Sequence, residues 1–361
     1  LRLISTGKIS MNNESDDQLI LLGTAAGRTW YGGTPRAGIA SAVVVSGSVY
    51  LVDCGSGAGR RLSEAHVGRA KGQAFSGLEA LRSIFITHLH SDHTVGLAEL
   101  LTFGLGEGLG RGAHPVTVTG PGPRGRIQPL ASHAVHEPAV VNPADPTPGT
   151  HGMVNGLLAA FASDLNDNVR DSLRPSPATI LQVKEIALPP EVLADPDTDV
   201  APAMEPFEVY DDGNVRVLAT LVQHAPVFPA FAYRLETGNA SVVFSGDTSP
   251  SGNLIRLAQG ADILVHEVID PEWVRDLFHG RDDPAALAKQ RHLLESHTPV
   301  GAVGAIAERA GVGHLILSHL APASHRDDDW RSRVQGFSGR VSVGHDLDAF
   351  TLGHVPAPRP S

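Results

Sequence analysis

The chain has 361 residues, 42% of them hydrophobic, enough for one large domain or two ordinary ones with a sizeable core. A single cysteine, Cys54, excludes an internal disulfide and thiolate-rich zinc sites, and no apolar run approaches the roughly 20 residues of a membrane helix. Asp and Glu number 39 against 28 Lys and Arg, a formal charge of −11 that disfavours nucleic acid as a partner, while 18 histidines point toward metal.

Residues 1–16 carry no signal-peptide pattern and are expected to be a disordered or non-native N-terminus. The folded domain is expected to run from 17 to 355, and a cytoplasmic location is expected. QLILLG (18–23), IASAVVV (39–45) and SVYLVD (48–53) predict strands, the last two joined as a hairpin by Ser46-Gly47. Cys54 is expected to be an inert buried thiol. The glycines of DCGSGAG suit a tight turn before a helix at about 58–67. SIFIT (83–87) is a buried-type strand that runs into HLHSDHTVG and a helix at about 94–103. PVTVTGPGP (115–123) is a strand ending in a Pro/Gly turn.

Residues 131–212 are rich in Pro, Ala and Asp and are expected to be an insert. Within it, Val154, Leu157, Leu158, Phe161 and Leu165 recur at helical spacing, which predicts one amphipathic helix over 152–169. This helix is expected to pack on its own domain or to wall a substrate pocket. The insert as a whole is acidic, with Asp164, Asp167, Asp171 and Asp195 among its carboxylates against Arg170, Arg174 and Lys184. After Gly213 strands return at 215–224, 230–236, 240–246, 262–267 and 314–319, with helices at 252–259 and 298–311. VSVGHDLDAFTL (341–352) closes the pattern.

The informative segment is His88-Leu89-His90-Ser91-Asp92-His93. Residues i and i+2 of an extended stretch point the same way, so His88 and His90 can clamp one ion. The chain then turns, and Asp92 and His93 can reach a second. Imidazole and carboxylate suit zinc first, with manganese or iron as alternatives. Two ions about 3.5–4 Å apart can activate a bridging hydroxide for attack on an ester. Asp53, closing its strand, is a candidate to hydrogen-bond the metal loop. The remaining histidines read as structural or surface residues, among them His133, His266, His292, His314 and His354.

THLHSDH resembles the HxHxDH signature of the metallo-β-lactamase superfamily. HAPVFPAFAYR around His224, FSGDTSPSG around Asp247, LILSHLAP around His319, VHEV (265–268) and SHTP (296–299) follow in the order of its ribonuclease Z-like branch. The resemblance implies an α/β fold, the αββα four-layer sandwich with a partly helical insert. It implies one divalent metal on His88, His90 and His224, another on Asp92, His93 and His319, and Asp247 bridging both. His297 would protonate the leaving oxygen and Glu267 would orient it, with Asp92 also at the reacting centre. The long, acidic insert resembles the arylsulfatase-like group of the branch more than its tRNA endonucleases. The expectation is therefore a dinuclear hydrolase of a small ester, an aryl sulfate or phosphodiester. The alternatives are a ribonuclease Z-type tRNA 3′-processing endonuclease, a lactone or other carbonyl-ester hydrolase, and an idle metal-binding protein. The resemblance also implies a homodimer.

Overall fold

The computed structural model describes residues 17–68, 77–131, 134 and 136–353. The expectations for residues 1–16, His133, His354 and the last residues of the domain lie outside them. In chain order the strands are β1 (Gln18–Gly23), β2 (Ala40–Val45), β3 (Ser48–Val52), β4 (Leu81–Phe85), β5 (Val116–Pro121), β6 (Leu181–Ile186) and β7 (Phe207–Asp211). They continue as β8 (Arg216–Leu221), β9 (Phe231–Glu236), β10 (Ser241–Phe244), β11 (Ile263–Ile269), β12 (His314–Ala321), β13 (Arg340–Val343) and β14 (Ala349–Thr351).

These strands make two sheets, ordered β14-β1-β2-β3-β4-β5-β6 and β13-β12-β11-β10-β9-β8-β7. Each is mixed: β3 to β6 pair in parallel in the first sheet, and β10 to β13 in the second. Strand side chains alternate between faces. Leu19, Leu21, Val43 and Phe85 meet Val217, Phe231, Tyr233 and Val242 between the sheets. Ile20, Leu22 and Ala42 point outward, into a core with helices Ala58–Glu64 and Gly96–Phe103. On the far side Val243, Leu264 and Leu315 pack on Leu254 and on Val303, Ile306 and Ala307 of helix Val300–Ala310. Strands buried on both faces must be apolar throughout, which is why they read as continuous apolar runs. The layers are helix, sheet, sheet, helix, as expected.

The insert departs from expectation. It folds as two helices, Thr150–Ala160 and Ala162–Arg170, broken at Phe161, whose side chain is exposed. Val154 and Leu165 are buried, and Leu157 and Leu158 half-buried, against the outer core of the first sheet. The helices thicken an outer layer, so of the two expectations it is packing on the chain's own domain that the structure bears out. The insert also supplies β6 and β7, the edge strands of the two sheets. Residues 341–352 likewise split, β13 going to one sheet and β14 to the other.

Candidate metal centre

The strand β4 ends at Phe85, the chain bends at Thr87, and His90, in extended backbone, precedes helix Ser91–Thr94. The His88 and His90 rings lie 4.7 Å apart, centroid to centroid. The helical turn swings Asp92 and His93 back into the centre, where both are buried. Gly55 permits that turn, because any Cβ there would collide with the Asp92 carbonyl. Asp92 Oδ2 accepts from the Gly27 amide at 2.9 Å.

The second sheet contributes the other side. His224 follows β8, Asp247 follows β10, and His319 lies within β12. Gly246 holds the left-handed turn that aims Asp247, its φ being 57°. The two Asp247 oxygens divide the cluster. Oδ2 lies 3.7 Å from His88 Nε2 and 3.8 Å from His224 Nε2, while Oδ1 lies 3.2 Å from His93 Nε2 and 3.3 Å from His319 Nε2. Two groups of potential ligand atoms result, each within 4.8 Å: His88, His90, His224 and Asp247, and Asp92, His93, Asp247 and His319.

Hydrogen bonds fix the tautomers. His93 Nδ1 donates to Asp53 Oδ2 at 2.8 Å, and His224 Nδ1 donates to the Ser296 carbonyl at 2.9 Å. Each Nε2 then offers a lone pair to the centre. Asp53 also accepts from the Thr87 amide at 2.8 Å, so it does hold the metal loop, from a left-handed backbone with φ of 59°. His319 is similarly strained, at φ 45°.

The donor set fits metal. Among the described residues, Nε2 of His88, His93 and His319 and Oδ1 of Asp92 and Asp247 are buried without a hydrogen-bond partner. Each such atom costs about 1–3 kcal/mol, and their convergence on one point suits a pair of divalent cations. Electrostatics differ across the cluster: burial disfavours the His93 cation, but Asp247, Asp53 and Asp92 outweigh it and raise its pKa well above the usual value, so a metal there must displace a proton. Burial pushes His88 well below its usual pKa, keeping it neutral as a ligand must be. Burial opposes charge on Asp247, but His319 and His93 outweigh it and hold the carboxyl well below the usual range.

His297 and Glu267 sit beside this centre. His297 Nδ1 lies 3.1 Å from Glu267 Oε1 and 3.9 Å from Asp247 Oδ2. Glu267 Oε1 also accepts from the Thr248 amide at 2.8 Å, which fixes the carboxylate. Burial disfavours the His297 cation, but Glu267 and then Asp247 and Asp92 outweigh it and raise its pKa to about 9.

One residue escaped the sequence reading. His292, taken there as structural, is on helix Pro284–Glu295 and stands 5.7 Å from the His224 ring, 5.9 Å from His297 and 6.0 Å from His90. Its helix was not predicted, so its spacing to His297 carried no signal. The structural readings of His266 and His314 hold: His266 bonds the Glu267 carbonyl, and His314 bonds Ser342. Cys54 is buried, and burial pushes its thiol pKa up, as expected of an inert group.

The metallo-beta-lactamase superfamily profile matches residues 33–288. Ribonuclease Z of Mycobacterium sp. (strain KMS) is 33% identical over 324 residues, covering 86% of this chain and 89% of that protein. Ribonuclease Z of Mycobacterium bovis (strain BCG / Pasteur 1173P2) is 29% identical over 318 residues, covering 86% and 91%. Among solved structures, human tRNase Z, short form, superposes with a TM-score of 0.57 at 19% identity, covering 93% of this chain and 99% of that one. The metallo-beta-lactamase fold protein YhfI from Bacillus subtilis gives 0.55 at 19%, with the same coverage. At that identity the structural likeness speaks for the fold alone. The chain belongs to the metallo-beta-lactamase superfamily, a family of metal-dependent hydrolases, and its relatives there include mycobacterial ribonuclease Z proteins.

Proposed function

We propose that this protein is a dinuclear metal-dependent phosphodiesterase of the ribonuclease Z kind, acting on RNA. The observation that carries the substrate is the 33% identity to a ribonuclease Z along 86% of the chain. The sequence alone favours a small ester, an aryl sulfate or phosphodiester, over a tRNA precursor, and the relatives support the reverse order. His88, His90 and His224 would hold one ion, Asp92, His93 and His319 the other, and Asp247 would serve both. Zinc is the leading ion for so many imidazoles. Bound there, the pair would activate water and stabilise charge on the phosphoryl oxygens.

The protein's own groups do the rest. His297 donates a proton to the leaving ribose oxygen. Its pKa of about 9 keeps it charged at neutral pH. Glu267 orients that ring through Nδ1 and leaves Nε2 to face substrate. Asp53 and the Ser296 carbonyl hold their histidines in the binding tautomer.

A small ester is the second reading, and one observation favours it. On the insert side of the molecule Arg124 and Arg126 are paired with Asp197 and Asp195, and Arg170, Arg174 and Lys184 are outnumbered by carboxylates. The test is zinc- or manganese-loaded protein on a precursor tRNA with a 3′ extension, on bis(4-nitrophenyl) phosphate and on 4-nitrophenyl sulfate, with Asp247→Ala as control. Cleavage of the precursor, lost in the variant, is expected. Sulfate turnover without RNA cleavage would overturn the proposal in favour of the small ester.

A further inference from the structure

The chain is acidic overall, yet the mouth of the metal centre is not. Arg28 lies in the loop after β1, and Lys289 and His292 lie one turn apart on helix Pro284–Glu295. Arg28 and Lys289 are exposed, and neither makes an ion pair within 4 Å among the described residues, although most arginines there do. Their charges bear on each other and on the centre. Burial is the main cause that lowers the pKa of Lys289, His90 and His292; Arg28 lowers all three further and Lys289 also acts on His292, while Asp92 opposes the shift at Lys289. The His292 ring stands close to His90, His224 and His297. Two like charges left unpaired beside a cluster of imidazoles repel one another, and an anion is what relieves them.

The second observation is independent of charge. Arg28 and Asp92 line one cleft of 420 Å³ together with Trp30 and Tyr31. Trp30 is 98% exposed. A tryptophan wholly in solvent is unusual, because its large apolar face has nothing to cover it. Tyr31 behind it is steadied by Trp273, ring centroids 6.5 Å apart. A free cation and a free aromatic face on one cleft are the two halves of a nucleotide site, one for the phosphate and one for the base.

We infer that Arg28, Lys289 and His292 bind a phosphate next to the scissile one and that Trp30 stacks on a neighbouring base, so the cleft holds a single strand of RNA. This rests on the proposed reading of the centre as a phosphodiesterase. It also resolves the charge conflict: the cations that grip the strand stand at the centre itself and not on the insert.

The test separates binding from cleavage. The full chain, freed of metal by a chelator, is titrated into a short fluorescein-labelled single-stranded oligoribonucleotide, and anisotropy is followed at several salt concentrations. In the Arg28→Ala/Lys289→Ala variant the affinity is expected to fall at least about tenfold. The slope of log affinity against log salt should shrink by about 0.7, the contribution of the one phosphate these cations neutralise on a single strand. Trp30→Ala should weaken binding by about fivefold or more with the slope unchanged. Arg28→Lys should recover most of the lost slope. Arg309→Ala, at the far end of the helix that follows His297, should bind as the parent does. Equal affinity and slope in the double variant would overturn the inference. RNA bound through these residues but never cleaved by metal-loaded protein would keep the inference and end the proposed function. Precursor cleavage with binding indifferent to Arg28, Lys289 and Trp30 would end the inference alone.

Discussion

At the residue scale the centre separates groups that hold metal from groups that move protons. His297→Ala should retain two metals by elemental analysis and lose about 10²–10⁴ in kcat on a phosphodiester. Metal loss in that variant would reassign His297 as a ligand. The pH dependence has a definite sign. His297 acts as its cation, and its pKa is raised to about 9, mainly by Glu267 working against burial. Turnover should therefore hold through neutral pH and fall as pH rises through about 9. Glu267→Gln removes the charge that favours the cation, so the falling limb should move to lower pH, and an unmoved limb would assign it to another group. Most of this was legible in the sequence because HxHxDH places four ligand types in six residues, and His224, Asp247 and His319 each carry neighbours that resemble a known segment. His292 was not, because its part comes from a helix packing across the centre, and no local spacing reports that. Arg28 and Trp30 escaped for the same reason: a loop residue's partners are set by the fold.

At the element scale, the buried strands were legible because strands covered on both faces must be apolar. The edge strands β6 and β7 were not, since LQVKEI and FEVYD are half polar and lie among prolines and acids. The insert's helical spacing was real, but periodicity shows which face is buried and not what it is buried against. Leu158 packs on the outer core of the first sheet, so Leu158→Asp should destabilise by about 1–3 kcal/mol and leave KM unchanged. A changed KM at unchanged melting temperature would restore the pocket wall. Helix Pro271–Leu277 offers a second test. Its cap, Asp270, is buried and bonds the Glu272 amide at 2.9 Å, His325 Nε2 at 2.8 Å and Arg333 Nη1 at 2.6 Å. Burial opposes its charge, but His325, the Glu272 amide and Arg333 win and hold its pKa below 3.8. A carboxyl depressed in the folded state adds stability that is full above its unfolded value and is lost as pH falls through the folded one. Asp270→Asn should cost about 1.5–3 kcal/mol at pH 7. The gap in melting temperature should close as pH drops below 3.8, and a gap that persists would mean packing, not charge, sets the cost.

At the scale of the whole molecule, the ligand set joins the two sheets. His88, His90, Asp92 and His93 hang from the first, and His224, Asp247 and His319 from the second, across a core that is otherwise apolar. Without metal, that edge is a place where buried nitrogen and oxygen atoms lack partners and two backbone angles are strained. Metal binds the folded arrangement and not the unfolded chain, so its binding energy adds to folding energy. At free metal about 1,000 times the dissociation constant this amounts to about 4 kcal/mol. In a domain of this length that should raise the melting temperature by about 5–10 °C. The rise should be small in Asp247→Ala, because Asp247 alone faces both ligand groups and its loss breaks the link between them. His297→Ala should rise like the parent. If zinc binds the parent stoichiometrically and leaves its melting temperature where it was, the two sheets are not joined through these residues, and the metals sit on one sheet alone.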